Sequence, residues 1–290
     1  MRYRVRHETE YAYDQPVDLG RHMLHLLPRP LPWQHVVCAT LAADPLPTTR
    51  EQGVDHFGNL VTWMALDRPH AAFRLALEAV VEVEFPTPPP ADATPAWEQV
   101  SAAALAGGPE GWQAAEFAFG SPLAPADAGA GAYAASSFPP GRPVLAGLLE
   151  LTSRIRREFT FKPGVTTIST PVSRVLAQRA GVCQDFTHQM IAGLRSLGLP
   201  ARYVSGYLRT RPPPGQAPRQ GADQSHAWVG CWLGPAHGWV DLDPTNDLVV
   251  RDEHVVLAWG RDYGDISPVR GIILGGGSHA VTVGVDLAPV

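Results

Sequence analysis

Residues 183–208 read CQDFTHQMIAGLRSLGLPARYVSGYL, and a helical pattern gives way to a strand pattern within this stretch. Apolar side chains in its first half repeat at the three- and four-residue spacing of a helix: Phe186, Met190, Ile191, Leu194 and Leu197. Gly198 and Pro200 end that helix, and the residues from Ala201 to Leu208 favour a strand. A helix that leads directly into a sheet indicates an α+β domain.

The remainder of the second half of the chain follows the same order, with helices first and strands afterwards. Helical spacing runs through residues 144–155. Thr170 and Pro171 predict an N-cap and a proline at the first helical position, in a helix that ends near Gly181. Further strands are predicted at residues 226–233, 238–242 and 281–287. We therefore expect an α+β core over residues 143–290.

The first 85 residues contain only strand signals. From Tyr3 to Tyr13 the odd positions are Tyr, Val, His, Thr, Tyr and Tyr, whereas Arg and Glu occupy most even positions. This period of two is typical of a strand with one solvated face. Gly58 and Asn59 predict a tight turn at positive φ. With further strands predicted at residues 23–27, 35–41, 60–66 and 73–85, we expect an N-terminal antiparallel β-sandwich over residues 1–85.

The two regions are joined by a segment of different composition. Residues 86–142 are rich in Pro, Ala and Gly, which predicts a long linker with one short helix near residues 98–105. Within it, GAGAYA at residues 129–134 fits a dinucleotide-binding fingerprint. No strand is predicted before that run, and no strand-turn-helix unit is predicted around it. The run therefore does not predict a nucleotide site.

Composition and charge exclude several classes of partner. The 290 residues carry 23 Lys and Arg against 28 Asp and Glu, a net charge of −5 without blocks of like charge. This balance favours neither a nucleic-acid nor a membrane partner. The chain has no apolar run of about 18 residues, and Cys38, Cys183 and Cys231 predict free thiols of a reducing compartment. We expect a soluble, cytoplasmic protein, whose oligomeric state the sequence leaves open.

One of the three cysteines lies where a thiol is activated. In Gly181-Val182-Cys183-Gln184-Asp185 the cysteine occupies the first turn of the predicted helix. Unpaired backbone N–H groups and the helix dipole favour negative charge there, and therefore the thiolate, which is the reactive form. The alternative is that Cys183 is a small buried apolar residue, as many free cysteines are. The local sequence leaves both interpretations open.

A nucleophilic thiol needs a base and a group that orients the base, and both residue types occur downstream. His226 begins a predicted strand, and Asp241 and Asp243 lie on the next one. A short turn at residues 234–238 makes these strands antiparallel neighbours, which places a carboxylate beside the imidazole. Asp241 and Asp243 share one strand face, so the spacing alone does not choose between them.

The runs GVCQDF, SHAW and GWVDLDPTND resemble the transglutaminase-like superfamily, and in particular its bacterial branch with a β-rich N-terminal region. Three outlying stretches extend the resemblance over most of the chain: residues 11–13, 55–59 and 261–263. The resemblance implies a papain-like core with Cys183 as the nucleophile, His226 as the general base and acid, and Asp243 as the orienting carboxylate. Asp243 is chosen because the family pattern places the carboxylate four residues after the tryptophan; Asp241 stays the alternative.

This resemblance implies cysteine-dependent acyl transfer from an amide of a peptide or protein substrate, through a thioester. We expect a hydrolase, because nothing in the sequence shows an amine-binding subsite and water is the default acceptor. The alternatives are a protein-glutamine γ-glutamyltransferase and a non-catalytic peptide-binding module on the same fold. The Cys183 backbone N–H is the expected oxyanion donor. Gln184 is a candidate for the second donor that most such sites have, although the sequence does not identify it.

The remaining polar residues carry weaker signals. Asp185 and His188 are expected to be helix-surface or buried hydrogen-bonding groups. Cys231, His237 and His254 lack the spacing of metal ligands, and no EF-hand calcium loop is visible, so we predict neither a metal nor any other cofactor. The tract at residues 211–220, rich in Pro and Gly, predicts a loop that could lie at the mouth of the cleft.

Overall fold

The computed structural model describes residues 1–106, 108, 111–210 and 224–290, so the predicted loop at residues 211–220 lies outside the described residues. The described helices are α1 Trp97–Leu105, α2 Gly111–Ala115, α3 Ala128–Ala135, α4 Val144–Glu158, α5 Val172–Gln178 and α6 Cys183–Ser196. The described strands are β1 Arg2–Leu24, β2 Gln34–Asp44, β3 Thr49–Val54, β4 Leu60–Leu66, β5 His70–Val83, β6 Thr160–Phe161, β7 Ala180–Gly181, β8 Ala201–Leu208, β9 Gln224–Trp232, β10 Trp239–Asp243, β11 Leu248–Val249, β12 His254–Gly260, β13 Val269–Gly275 and β14 His279–Pro289. The predicted α+β class is confirmed.

A long first strand organises the N-terminal sheet. The first half of β1 pairs with β5 on one side and β14 on the other, and its second half pairs with β4 and β13. β2 extends the sheet beyond β5, and β3 extends it beyond β4. The pairing register with β5 shifts between Ala12 and Val17, where β1 changes partners. The strand predicted at residues 3–13 therefore continues to Leu24, residues 25–27 of the second predicted strand are not in a strand, and β3 was not predicted.

The C-terminal strands belong to this same sheet, which differs from the predicted grouping of residues 143–290. β14 runs antiparallel to β1 with Tyr3 opposite Pro289 and Tyr13 opposite His279. Strand periodicity shows which face of a strand is buried but carries no information about its partner strand. The sequence therefore predicted a strand at residues 281–287 correctly and could not predict that it would close the sheet built by residues 1–85.

The second sheet has the order β11-β10-β9-β8-β12 and is covered on both faces. On β9, Ala227 and Val229 join the apolar core beneath α4 and α6, whereas Trp228 between them joins a second core against the N-terminal sheet. Burial on both faces explains why β8 is almost continuously buried. Among the described helices, none is long and apolar enough to cross a bilayer.

Residues 86–142 differ from the predicted linker, because most of their helices pack into the core. The predicted short helix is present as α1, and α2 and α3 follow it. Val100, Tyr133 and Phe138 belong to the same apolar cluster as α4 and α6. Alanine-rich helices carry small side chains that allow close packing but give a weak apolar periodicity, so the composition resembled that of a linker.

The start of α5 also differs from the prediction. Pro171, and not Thr170, occupies the N-cap position, and it provides no side-chain cap. The Thr170 hydroxyl instead accepts a hydrogen bond from the Thr167 N–H at 2.8 Å, in the turn before the helix. Local hydrogen bonds of this kind compete with capping, since Thr can satisfy a nearby backbone group in either arrangement.

A buried asparagine joins the N-terminal sheet to the second sheet. The predicted turn has Gly58 at φ 74°, whereas Asn59 does not adopt the predicted positive φ and is fully buried. Its Oδ1 accepts hydrogen bonds from the Trp259 N–H at 2.9 Å and from Arg29 at 2.5 Å. Its Nδ2 donates to Asp55 at 2.7 Å and to the Trp259 carbonyl at 2.8 Å. The 55–59 run therefore fixes how the two sheets are placed.

Replacing this asparagine should destabilise the protein strongly. Asn59→Ala leaves the partly buried Trp259 N–H and carbonyl and the Arg29 guanidinium without this partner, so we expect the free energy of unfolding to fall by about 3 kcal/mol. Urea denaturation measures the change. Gln52→Ala, at an exposed position of β3, is the control and should cost less than about 0.5 kcal/mol. Equal effects of the two substitutions would contradict the proposed role of Asn59.

Candidate active site

Cys183 is the first residue of α6, as predicted, and a buried carboxylate fixes the start of that helix. Asp185 accepts hydrogen bonds from the Val182 N–H at 2.7 Å and from the Thr166 hydroxyl at 2.7 Å. A Cβ at Gly181 would lie 2.6 Å from the Asp185 carboxylate, so only glycine fits there. Asp185 is thus a buried hydrogen-bonding group that holds the backbone on which Cys183 is placed.

His226 and Asp243 come together across two neighbouring strands. β9 and β10 are antiparallel, with Leu242 opposite Val229, and His226 Nε2 lies 2.7 Å from Asp243 Oδ2. The imidazole is 8% exposed and Asp243 is fully buried. Because Nε2 faces the carboxylate, Nδ1 is the nitrogen that faces away from Asp243.

The electrostatics of this pair favour its charged form. Burial acts to lower the pKa of His226, but hydrogen bonds to Asp243 and to the Cys183 thiol outweigh it and raise the pKa to about 10. For Asp243, burial acts to raise the pKa, and the hydrogen bonds from His226 and His254 hold it well below its usual range. The structure thus pairs His226 with the buried Asp243 and places His226 in the same cavity as Cys183.

Two further residues hold Asp243, and the sequence analysis did not identify either as part of the site. Asn246 Nδ2 donates to Asp243 Oδ2 at 2.7 Å and lies 3.4 Å from His226 Nε2. His254 Nε2 lies 3.5 Å from the same carboxylate oxygen. The backbone N–H groups of Thr245 and Asn246 donate to Asp243 Oδ1. The run Asp-Pro-Thr-Asn signals a turn that could have indicated Asn246, whereas no local pattern points to His254.

Asp241, the alternative to Asp243, has different partners. One of its oxygens accepts a hydrogen bond from the Trp228 indole at 3.0 Å, and the other lies 3.8 Å from the Arg202 guanidinium. Burial raises the pKa of Asp241, against the opposing effect of Arg202. Arg202 in turn lies against the rings of Trp239 and Trp259. The structure therefore places Asp241 in a buried network beside the site and pairs Asp243 with His226.

His226, Asp243 and His254 form the kind of group that could hold a metal ion, since their ligand atoms lie within 4.8 Å of one another. Sequence spacing gave no sign of this cluster, because His254 reaches it from β12. An ion there would replace the hydrogen bond between His226 and Asp243. The described donors already saturate the Asp243 carboxylate, so the present arrangement is that of a hydrogen-bonded network.

Cys183 and His226 open onto a cavity of about 550 Å³ between the two sheets. Gln184, the candidate second oxyanion donor, lines the same cavity, as does Tyr203. His188 is buried and does not line the cavity; its Nε2 accepts a hydrogen bond from the N–H of Tyr263, a residue that does, at 3.3 Å. Burial lowers the pKa of His188 to about 4, so it is a neutral structural group.

Comparison with known proteins assigns the chain to a family. Residues 3–82 match the bacterial transglutaminase-like N-terminal region, and residues 134–244 match the transglutaminase-like superfamily. The chain belongs to the transglutaminase-like superfamily.

Individual relatives cover nearly the whole chain. An uncharacterized protein of Mycobacterium tuberculosis is 42% identical over 99% of this chain and 93% of its own length. An uncharacterized protein of Mycobacterium leprae is 32% identical over 99% of this chain and 98% of its own length. A protein-glutamine gamma-glutamyltransferase of Pseudomonas aeruginosa is 32% identical over 44% of this chain, but the match spans only 20% of that protein.

The fold is shared with a solved structure. A crystal structure named "Putative Cysteine Protease" from Cytophaga hutchinsonii superposes with a TM-score of 0.76 and 22% identity. The match covers 99% of this chain and 90% of that chain. At this identity the likeness establishes the fold, including the predicted combination of a β-rich N-terminal region with a transglutaminase-like core.

The charged pair predicts a pH-dependent contribution to stability. Because the pKa of His226 is raised to about 10, its contribution is complete below an ordinary histidine pKa of about 6.5 and is lost as the pH rises through about 10. The contribution of Asp243, whose pKa is depressed, is complete above about 3.9. Asp243→Asn should therefore cost about 3 kcal/mol at about pH 6 and less at about pH 10.5, measured by urea unfolding.

Asp247→Asn is the matched control for this measurement. Asp247 is exposed, in the turn that follows Asp243, and an amide oxygen can still accept its hydrogen bond from Ser153. We expect a change below about 0.5 kcal/mol at either pH. A loss in Asp243→Asn that is the same at both pH values would show that the pair does not contribute as a charged unit.

Proposed function

We propose that this protein is a cysteine-dependent acyl-transfer enzyme that acts on amide bonds of peptides or proteins and uses water as the usual acceptor. Cys183 is the proposed nucleophile, His226 the general base and acid, and Asp243 the orienting carboxylate. The observation that carries the proposal is the imidazole of His226, which lies 2.7 Å from the fully buried Asp243 and lines the same open cavity as Cys183.

The proposed reaction begins from an ion pair, in which the thiol proton already resides on His226 and Cys183 is a thiolate. The Cys183 thiolate attacks the amide carbonyl carbon, and the carbonyl oxygen becomes an oxyanion. When the C–N bond breaks, the imidazolium donates its proton to the leaving amine, and the acyl group stays on sulfur as a thioester. His226 then takes a proton from water as the water oxygen attacks the thioester carbonyl; the C–S bond breaks, the carboxylic acid is released, and the Cys183 thiolate is restored beside the His226 imidazolium.

The backbone supports stabilisation of the oxyanion. As the first residue of α6, Cys183 has an N–H that the helix does not use, and this group points toward the helix start where negative charge is favoured. Gln184 follows it and lines the cavity, which supports its proposed role as the second donor. Asp185 preserves this geometry by holding the turn before the helix.

Hydrolysis is favoured over transfer to an amine by the charge of the cavity. A lysine side chain acting as acceptor would be drawn by a carboxylate near the thiol. Among the described residues that line the cavity, none is Asp or Glu. Protein-glutamine γ-glutamyl transfer stays the second candidate, because it is the activity named for the Pseudomonas aeruginosa relative.

The reactivity of Cys183 tests the nucleophile directly. At about pH 7, iodoacetamide should alkylate Cys183 at least about ten-fold faster than the exposed Cys38, because His226 supplies the counter-charge of a thiolate. His226→Gln should reduce the Cys183 rate to that of Cys38. Mass spectrometry of the two tryptic peptides reports both rates in one sample. Slow labelling of Cys183, with no effect of His226→Gln, would favour a non-catalytic peptide-binding module.

The products of turnover distinguish water from an amine as the acyl acceptor. A peptide library is screened for cleavage, and a glutamine-bearing protein is incubated with a fluorescent amine. We expect a new carboxylate or released ammonia without fluorescent labelling of the protein, and a fall of about 10²–10⁴-fold in Asp243→Asn. Cys183→Ala should abolish both readouts, with Cys231→Ala as the control in which activity is kept. Amine incorporation that exceeds hydrolysis would establish the transferase instead.

A further inference from the structure

We propose that one face of the β1–β14 pair is a subsite that binds an uncharged, apolar side chain of the substrate next to the amide that Cys183 attacks. The inference rests on the proposed function and adds the chemical class of the group that is recognised. It assigns that recognition to the N-terminal sheet and to the C-terminal strand that completes it.

Three cross-strand pairs of this sheet line the cavity that contains Cys183 and His226. The pairs are Tyr11 with Val281, Thr9 with Val283, and His7 with Val285. Alternate residues of a strand share one face, so these six side chains form one wall of the cavity. The opposite wall comes from the start of α6 and from β8 and β9. A substrate that reaches the thiol therefore lies between the two sheets.

The apolar part of this wall is buried at Val285 and about half-exposed at Val283 and Val281. Val285 is 1% exposed, whereas Val283 is 51% and Val281 is 47% exposed. Two valines at alternate positions on one face thus present methyl groups to the cavity, and about half of each residue is exposed. Val269 and Pro268 line the same space. An apolar substrate side chain placed there would remove these methyl groups from water, which is favourable.

The wall also lacks charge that would hold an ionic side chain. Among the described lining residues, none is Asp, Glu, Lys or Arg. His7 is satisfied by Tyr207 at 2.8 Å and Thr9 at 2.6 Å, and burial lowers its pKa to about 4, so it is neutral. A carboxylate or ammonium bound against this wall would lose hydration, and the wall itself offers no counter-charge, since the imidazolium of His226 belongs to the opposite wall. The occupant is therefore an uncharged, apolar side chain.

The test compares three electrophiles that differ only in the attached chain: iodoacetamide, N-butyl iodoacetamide and N-(3-carboxypropyl) iodoacetamide. Each alkylates Cys183 and the exposed Cys38, and the ratio of the two rates cancels the intrinsic reactivity of each probe. The butyl probe should raise this ratio about ten-fold over iodoacetamide, because each buried methylene is worth roughly four-fold and part of the chain is buried. The carboxypropyl probe should show no such gain.

Two substitutions on β14 form a matched pair. Val283→Asp places a charge in the proposed subsite and should cancel the gain of the butyl probe over iodoacetamide when both probes are measured on the same variant. Ala280→Asp adds the same charge on the same strand, at an exposed position on the opposite face, and should keep the gain. Val283→Ala, which removes methyl groups without adding charge, should lower the gain by about two- to four-fold.

The outcomes separate the two proposals. If the butyl and carboxypropyl probes give the iodoacetamide ratio in the unsubstituted protein, or if Val283→Asp and Val283→Ala both keep the gain, the subsite is disproved. In either case a fast, His226-dependent reaction with iodoacetamide would still support Cys183 as the nucleophile. If iodoacetamide itself shows no preference for Cys183, the proposed function fails, whatever the chain-length dependence.

Discussion

The ion pair of His226 and Asp243 is the interaction on which the arrangement of this site depends. A fully buried carboxylate is costly unless it is paired and hydrogen-bonded. Here the cost is offset by an imidazolium, by two backbone N–H groups and by the Asn246 amide. Those donors fix the carboxylate, the carboxylate fixes the imidazole, and the imidazole is presented to Cys183 at the start of a helix. The backbone N–H groups and Asn246 therefore orient Asp243, and Asp243 orients His226.

The position of the cavity follows from the pairing of the first strand with the last. β14 pairs with β1 along most of its length, so the last strand and the first strand form one wall opposite the thiol. Asn59 joins this sheet to β12 through buried hydrogen bonds. The placement of the two sheets is thus set by specific polar contacts, and the cleft between them has a defined width. This makes the N-terminal region part of the site.

The sequence predicted the elements that carry a strong local signal. The helix beginning at Cys183 and the strands at residues 201–208 and 226–233 agree with the structure because their apolar side chains follow one period and Gly198 and Pro200 mark a boundary. It failed where the signal is weak or absent. The alanine-rich helices of residues 86–142 resembled a linker, and the Thr170 hydroxyl binds a turn amide where an N-cap was predicted.

By itself the sequence determined the α+β class, the family and the chemistry available to the site, because residue types, periodicity and the motifs around Cys183, His226 and Asp243 are local properties. The folded chain added what local patterns lack: it pairs Asp243, the residue favoured by the family pattern, with His226 and gives Asp241 other partners, brings His254 to the carboxylate, and joins the C-terminal strand to β1. The physical reason is that strand pairing and buried hydrogen bonds are long-range choices, made by registers and contacts that no local pattern encodes.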